Sequence, residues 1–145
     1  MEGVSSHSCN FQSNSNLKIL YFNARSLLPK FDELLLLTDF HHPDVICITE
    51  SWLCLDILDS EISIPGFQTM RLDRNRHGGG VLMYVSDKYI VKRLPSHASL
   101  ELLTVTLHCG NYRSCLSLFY RPPGSPADIL YSLHSYLVNK HSSVL

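Results

Sequence analysis

The chain has 145 residues, of which 45% are hydrophobic and 17% charged, and this is enough for one domain with one core. Its 12 basic and 13 acidic side chains nearly cancel, which excludes a basic nucleic-acid footprint spread over the whole chain, so any such surface must be local. The first ten residues have neither a cationic stretch nor an apolar one, and the longest leucine run, residues 34–37, is too short to span a bilayer. We therefore expect a soluble protein with no secretory signal and no membrane association.

Cysteine and histidine usage indicates the compartment. The five cysteines are irregularly spaced with no Cys-x-x-Cys pair, and none of the eight histidines stands at zinc-finger spacing from a cysteine. We therefore expect no zinc site, and a reducing location, nuclear or cytoplasmic. Cys47 and Cys115 lie in apolar runs and are predicted to be small core residues.

The first half of the chain predicts a strand, a helix and a second strand. Residues 1–16 are rich in Ser and Asn and are predicted to be a flexible polar tail. Residues 17–23 form a short apolar run typical of a buried strand, and residues 31–40 have apolar side chains at helical spacing. A second apolar run follows at residues 45–49. Because a strand–helix–strand unit of about thirty residues makes a right-handed crossover, the two strands should be parallel.

Beyond residue 50 the apolar runs are short and closely spaced, with turn residues between them. Strands are predicted at residues 67–72, 80–85, 89–94, 100–107 and 114–120, and a helix at residues 128–140. Close spacing of this kind favours antiparallel hairpins. The pattern as a whole predicts an α/β fold with a mixed sheet and helices on one side.

Polar side chains follow the ends of three predicted strands. Asn23 ends the first, Glu50 follows the second, and Tyr120 ends the last, with Arg121 next to it. Since ligand sites form beyond the carboxyl ends of parallel strands, Asn23 and Glu50 should share one rim of the sheet. Mg²⁺ takes only one or two protein carboxylates and binds phosphate oxygens besides, so Glu50 is a candidate metal ligand. Tyr120 and Arg121 could then hydrogen-bond the phosphate.

Each of these residues also has a purely structural interpretation. Asn23 is a common turn-capping residue, Glu50 could be an ordinary loop carboxylate, and Tyr120 is frequent at strand ends. Spacing alone leaves both interpretations open.

A local basic cluster lies between two of the strands. Arg74 and Arg76, with Arg71 and His77, are either a solvated loop or substrate-binding residues. Residues 78–80 are three glycines followed by a strand rather than by Lys-Ser/Thr and a helix, so they are predicted to allow a tight turn and not to cradle phosphate.

Four segments resemble, in order, motifs of the endonuclease/exonuclease/phosphatase superfamily. They are residues 20–27 (Leu-Tyr-Phe-Asn-Ala-Arg-Ser-Leu), 44–53 (Asp-Val-Ile-Cys-Ile-Thr-Glu-Ser-Trp-Leu), 77–84 (His-Gly-Gly-Gly-Val-Leu-Met-Tyr) and 118–124 (Leu-Phe-Tyr-Arg-Pro-Pro-Gly). The amino-acid sequences of the first and last segments are most similar to those of the endonucleases of LINE-type, non-LTR retrotransposons.

The resemblance implies a fold and an activity. The fold would be the N-terminal half of a DNase-like and apurinic-endonuclease-like four-layer α/β sandwich of two sheets. The activity would be Mg²⁺-dependent (or Mn²⁺-dependent) hydrolysis of DNA phosphodiesters, which in retroelements nicks the target and primes reverse transcription. By position, Glu50 resembles the family's metal-ligating glutamate, Asn23 its first-strand asparagine and Tyr120 its phosphate-contacting tyrosine.

The chain departs from the family pattern in its second half. The Gly-Asp-Phe-Asn and Ser-Asp-His motifs, which supply the water-activating aspartate and histidine, do not occur in the sequence. Residues 17–145 are therefore expected to be an incomplete domain that is inactive alone, with an apolar sheet face left uncovered. The alternatives are a phosphatase or phospholipase of the same fold, or a non-catalytic interaction module.

Overall fold

A computed structural model describes residues 16–144, with side chains to residue 140. All but the last residue of the predicted tail, 1–16, lies outside the described residues. The elements are β1 (Ile19–Asn23), α1 (Phe31–His41), β2 (Val45–Thr49), β3 (Phe67–Leu72), β4 (Val81–Ser86), β5 (Ile90–Arg93), β6 (Glu101–Cys109), β7 (Tyr112–Tyr120) and α2 (Ile129–Val144), with 3-10 turns at Leu28–Lys30 and Asp59–Ile62. Each predicted strand and helix is therefore present. Neither described helix is long and apolar enough to cross a membrane.

The strands form two sheets rather than one. The first has the order β1-β2-β4-β3, with β1 and β2 parallel and the other pairs antiparallel. The second, β5-β6-β7, is antiparallel throughout. The predicted parallel crossover is thus confirmed. The residue pattern alone suggested a single mixed sheet, whereas the chain begins a second sheet at β5, in agreement with the implied two-sheet sandwich.

The two sheets pack face to face through side chains that are almost completely buried. One buried cluster joins β2 and β4 to β6 and β7 and includes Cys47, Met83 and Leu103. On its outer side the first sheet packs against Leu34 of α1, and the second sheet packs against Tyr136 of α2. The layers are therefore helix, sheet, sheet and helix, with a helix on one side of each sheet. Of the two cysteines predicted to be core residues, Cys47 is buried and Cys115 is partly buried.

The expectation that an apolar sheet face would lack a covering layer is wrong for most of the first sheet. Strands β6 and β7 lie over β2 and β4, so burial between the sheets is complete there. Strand β1 differs, because its inward-facing Ile19 and Tyr21 are 44% and 60% exposed. The covering sheet was missed because hairpin spacing does not say in which sheet a strand lies.

Candidate functional site

Three loops meet where β1 and β2 end and β4 begins. Backbone hydrogen bonds of 2.9, 3.0 and 3.0 Å join residues 24–27 to residues 49–51. On the other side, the amides of Ser51 and Trp52 donate to the carbonyls of Gly80 and Gly79 at 3.3 and 3.1 Å. The backbone around Glu50 is therefore held from both sides, as an extension of the parallel pairing of β1 and β2.

The same backbone is strained. Glu50 and Trp52 have φ angles of +52° and +55°, and Arg25 and Ser26 in the adjacent loop have +45° and +78°. Residues with a Cβ pay roughly 1–2 kcal/mol each in this left-handed region. Such conformations persist only where surrounding contacts impose them, and they cluster at functional sites. The loop hydrogen bonds supply that restraint here.

The Glu50 carboxylate is the centre of a small hydrogen-bonded group. Its Oε1 accepts a hydrogen bond of 2.7 Å from the Tyr120 hydroxyl. The hydrogen bond from the Asn23 side chain, followed by that from Tyr120, lowers the pKa of Glu50, so the carboxylate is ionised. Burial, and then the bond to this carboxylate, raises the pKa of Tyr120 to about 12, so the phenol keeps its proton.

The structure thus brings together Asn23, Glu50 and Tyr120, the three residues proposed from sequence as catalytic. The first two are adjacent because β1 and β2 are parallel, with Asn23 opposite Thr49. Tyr120 lies at the end of β7 in the second sheet, and its hydroxyl contacts Glu50, which follows a strand of the first sheet. The rim is therefore formed jointly by both sheets.

Sequence reasoning missed a second carboxylate beside this group. Glu101, at the start of β6, lies opposite Tyr120 in the β6–β7 pairing. Its Oε1 is 3.3 Å from Nε of Arg74, and its Oε2 accepts a hydrogen bond of 3.3 Å from the Gly80 amide. Burial raises the pKa of Glu101, and Arg74 opposes that shift. The hairpin register was the available signal, because pairing residues 101 and 120 follows from the tight turn at residues 110–111.

Arg74 contributes positive charge to the site. Its positive charge adds to the lowering of the Glu50 pKa by the hydrogen bonds from Asn23 and Tyr120, and it opposes the rise in the Tyr120 pKa that burial causes. It is held by Glu101 and by a hydrogen bond of 3.1 Å from its Nε to the Gly78 carbonyl. Of the arginines predicted to bind substrate, Arg74 is therefore the one that lies at the site, paired with Glu101.

The other two predicted arginines have different partners. Arg76 pairs with Asp56 at 2.8 Å, with both side chains largely exposed. Arg121 donates a hydrogen bond of 2.9 Å to the Ser125 carbonyl, within the turn that follows β7. Neither has a hydrogen bond or ion pair with Glu50, although Arg76 lies two residues after Arg74 and Arg121 directly follows Tyr120.

The glycine run allows the close approach of these side chains. A Cβ at Gly79 would lie 2.4 Å from Nε of Arg74 and 2.6 Å from Oε1 of Glu101. A Cβ at Gly80 would lie 2.6 Å from the Ser51 hydroxyl oxygen. Both glycines also have positive φ, +65° and +84°. The prediction of a tight backbone turn is confirmed, and the turn also makes room for the Arg74–Glu101 pair.

The donor set fits magnesium. Among the described residues, no three His, Cys, Asp or Glu side chains converge as a metal cluster. A structural zinc site needs four such ligands, whereas Mg²⁺ keeps several waters and needs only one or two carboxylates plus phosphate oxygens. One ionised, hydrogen-bonded carboxylate at an open rim satisfies that smaller requirement, and it is Glu50 that provides it.

Two facing sheets with a helix outside each form a four-layer α/β sandwich, and similarity to solved structures shows that the fold is that of the endonuclease/exonuclease/phosphatase proteins. The chain is similar to an AP endonuclease from Leishmania major, with 19% identity, a TM-score of 0.61 and coverage of 79% of this chain and 43% of that one.

Two further structures agree. The endonuclease domain of TRAS1, a telomere-specific non-LTR retrotransposon, matches with 13% identity and a TM-score of 0.66 over 85% of this chain and 54% of that one. The human Nocturnin catalytic domain, solved with a bound sulfate anion, matches with 16% identity and a TM-score of 0.54 over 83% and 58%. The chain therefore spans about half the length of the structures it matches. No family model matches the sequence, and no curated protein matches it either.

Proposed function

We propose that this chain carries the metal-binding and phosphate-binding half of a DNA phosphodiesterase site, of the type used by non-LTR retrotransposon endonucleases. One observation carries the proposal: Glu50 accepts a hydrogen bond of 2.7 Å from Tyr120 at a rim built by both sheets, where the neighbouring parallel strand ends in Asn23. Two of the similar structures are named as endonucleases, which supports the kind of activity.

Each residue has a role that follows from its chemistry. Glu50 would hold Mg²⁺ or Mn²⁺, and the bound ion supplies Lewis-acid stabilisation of charge on the phosphoryl and leaving oxygens. Asn23 orients the carboxylate through its side-chain hydrogen bond. Tyr120 keeps its one proton and donates it to Glu50 in the structure; with a phosphate bound, the hydroxyl would donate that hydrogen bond to a phosphate oxygen instead. Arg74 adds positive charge beside that position. Arg76 and Arg121 are proposed to contact the substrate away from the reacting phosphate.

The reaction also requires a group that activates water. The sequence contains neither a Gly-Asp-Phe-Asn nor a Ser-Asp-His segment. Loss of a general base alone costs roughly 10²–10⁴-fold in rate. We therefore propose that residues 17–145 act as an incomplete domain that binds metal and DNA in the nucleus or cytoplasm but does not nick DNA by itself.

The first test measures metal binding. Electron paramagnetic resonance titration with Mn²⁺, in the presence of a short DNA oligonucleotide, should show binding by the unchanged protein and loss of it in Glu50→Gln. The matched control is Glu33→Gln, an exposed carboxylate on α1, which should bind Mn²⁺ normally. Equal Mn²⁺ binding by Glu50→Gln and the unchanged protein would contradict the assignment of Glu50.

The second test measures nicking of supercoiled plasmid. The pure chain should leave the plasmid supercoiled in Mg²⁺ or Mn²⁺. Metal-dependent conversion to open circles that disappears in Glu50→Ala would contradict the proposed inactivity while supporting the proposed site.

A further inference from the structure

A cleft of about 1030 Å³ adjoins the candidate site. Its walls are the loop of residues 54–59 and the segment of residues 71–77, and Arg74 is among the residues that line it. Because Arg74 also contacts Glu101 and influences Glu50, the cleft leads directly to the rim. Leu55 is among the lining residues and is 93% exposed.

The loop that carries Leu55 is firmly held from beneath. The Arg71 guanidinium donates hydrogen bonds of 2.8 Å to the carbonyls of both Cys54 and Ile57. The Ile57 amide also donates to the Cys54 carbonyl at 3.0 Å, which closes a turn around Leu55. Arg71 itself is 13% exposed and pairs with Asp73 at 2.6 Å. Leu55 therefore projects from a fixed backbone rather than from a loose loop.

The arginines lining the cleft differ in their availability. Arg71 is partly buried and pairs with both Asp73 and Asp59, so its charge is used in supporting the loop. Arg76 pairs with Asp56 at the surface, where the two side chains are 62% and 76% exposed, and it also donates a long hydrogen bond of 3.8 Å to the Cys54 sulfur. An ion pair this exposed contributes little stability, so Arg76 can exchange Asp56 for another anion at small cost.

We propose that this cleft is a subsite for the DNA that flanks the reacting phosphate, with Leu55 as an apolar wedge against the bases and Arg76 on a neighbouring backbone phosphate. The inference rests on the proposed function and adds the residues that engage the duplex. Proteins that bend or unstack DNA insert apolar side chains such as leucine between bases while arginines hold the phosphates. A preorganised turn suits that task, because little conformational freedom is lost on binding.

The inference predicts separate effects for the wedge and the arginine. Leu55→Asn should bind a short DNA duplex roughly tenfold more weakly in fluorescence anisotropy, because apolar contact with the bases is lost. A 2-aminopurine base in the duplex should brighten on binding the unchanged protein and much less with Leu55→Asn. Arg76→Gln should weaken binding and reduce the slope of log affinity against log salt by about one.

The controls separate this inference from the proposed function. Leu36→Asn changes an equally apolar side chain that is 72% exposed on α1, and it should bind DNA normally. Leu55→Met should retain the affinity for DNA. Both Leu55 variants should have the same melting temperature as the unchanged protein, because the side chain is exposed. If Leu55→Asn binds like the unchanged protein while Glu50→Gln still loses Mn²⁺, the wedge is wrong and the site stands. If the unchanged protein binds no DNA, both proposals fail.

Discussion

The interior between the two sheets and the rim at Glu50 are stabilised in different ways. In the interior, side chains such as Val45, Val81 and Leu103 are fully buried, and apolar burial provides the stability. At the rim, residues with positive φ are held by backbone hydrogen bonds, and charged side chains pack so closely against glycines that a Cβ there would overlap them. The strained, polar rim therefore depends on the apolar interior, which holds the strand ends in place while the rim residues remain free for chemistry.

The largest effect is expected in the interior. Leu103→Ala should reduce the free energy of unfolding by about 2–5 kcal/mol, because it removes a fully buried side chain and leaves a cavity between the sheets. Urea unfolding followed by circular dichroism measures this. Leu36→Ala, at a position that is 72% exposed, should change the free energy of unfolding by less than about 0.5 kcal/mol. Similar losses in both variants would show that the interface between the sheets is not closely packed.

A smaller loss of stability is expected in the glycine run. Gly79→Ala should destabilise the protein by about 1–3 kcal/mol, since the added Cβ would meet both Arg74 and Glu101. Gly110 is the matched control: its φ of +57° is similar, but nothing lies within 4 Å of an added Cβ. Gly110→Ala should therefore cost only about 1 kcal/mol, from backbone strain alone. Equal losses of stability in the two variants would mean that the Arg74 side chain can move away from residue 79 freely.

Two tyrosines allow the same change at a buried position and at the rim; the buried one, Tyr84, lies on the outer side of the first sheet, in the cluster that packs against α1. Tyr84→Phe removes a buried hydrogen bond of 2.7 Å to the Ile62 carbonyl and should cost about 1–3 kcal/mol of stability, with Mn²⁺ binding unchanged. Tyr120→Phe removes the bond to Glu50 at the open rim and should cost less than about 1 kcal/mol, while weakening oligonucleotide-dependent Mn²⁺ binding. Calorimetric melting and the Mn²⁺ titration distinguish the two. The reverse pattern would place the stabilising role at the rim.

The smallest effect on stability is expected at the carboxylate itself. Glu50→Gln keeps the side-chain shape and an oxygen that can accept from Tyr120, so the free energy of unfolding should change by less than about 0.5 kcal/mol. Loss of Mn²⁺ binding without loss of stability would identify Glu50 as a functional residue. A cooperative loss of several kcal/mol would instead make it a structural one.

Local pattern was sufficient for the elements and for half of the site. The apolar runs of β1 and β2 and the helix between them predicted a parallel pair, and this placed Asn23 and Glu50 on one rim. The position of Tyr120 was correct in outline, although it approaches from another sheet. Glu101 was missed because a carboxylate at a strand start is not distinctive by itself, and the hairpin register that places it opposite Tyr120 was not used.

The strands and helices, the crossover and the tight turn at the glycines before β4 could all be predicted from local sequence, because periodicity, turn residues and the need for positive φ act within a few residues. Only the tertiary structure decided that β5, β6 and β7 form a separate sheet over β2 and β4. It also decided that Tyr120 meets Glu50 and that Arg74 meets Glu101, contacts between residues 70 and 27 positions apart. Such contacts follow from how two twisted sheets pack, which no short stretch of sequence encodes.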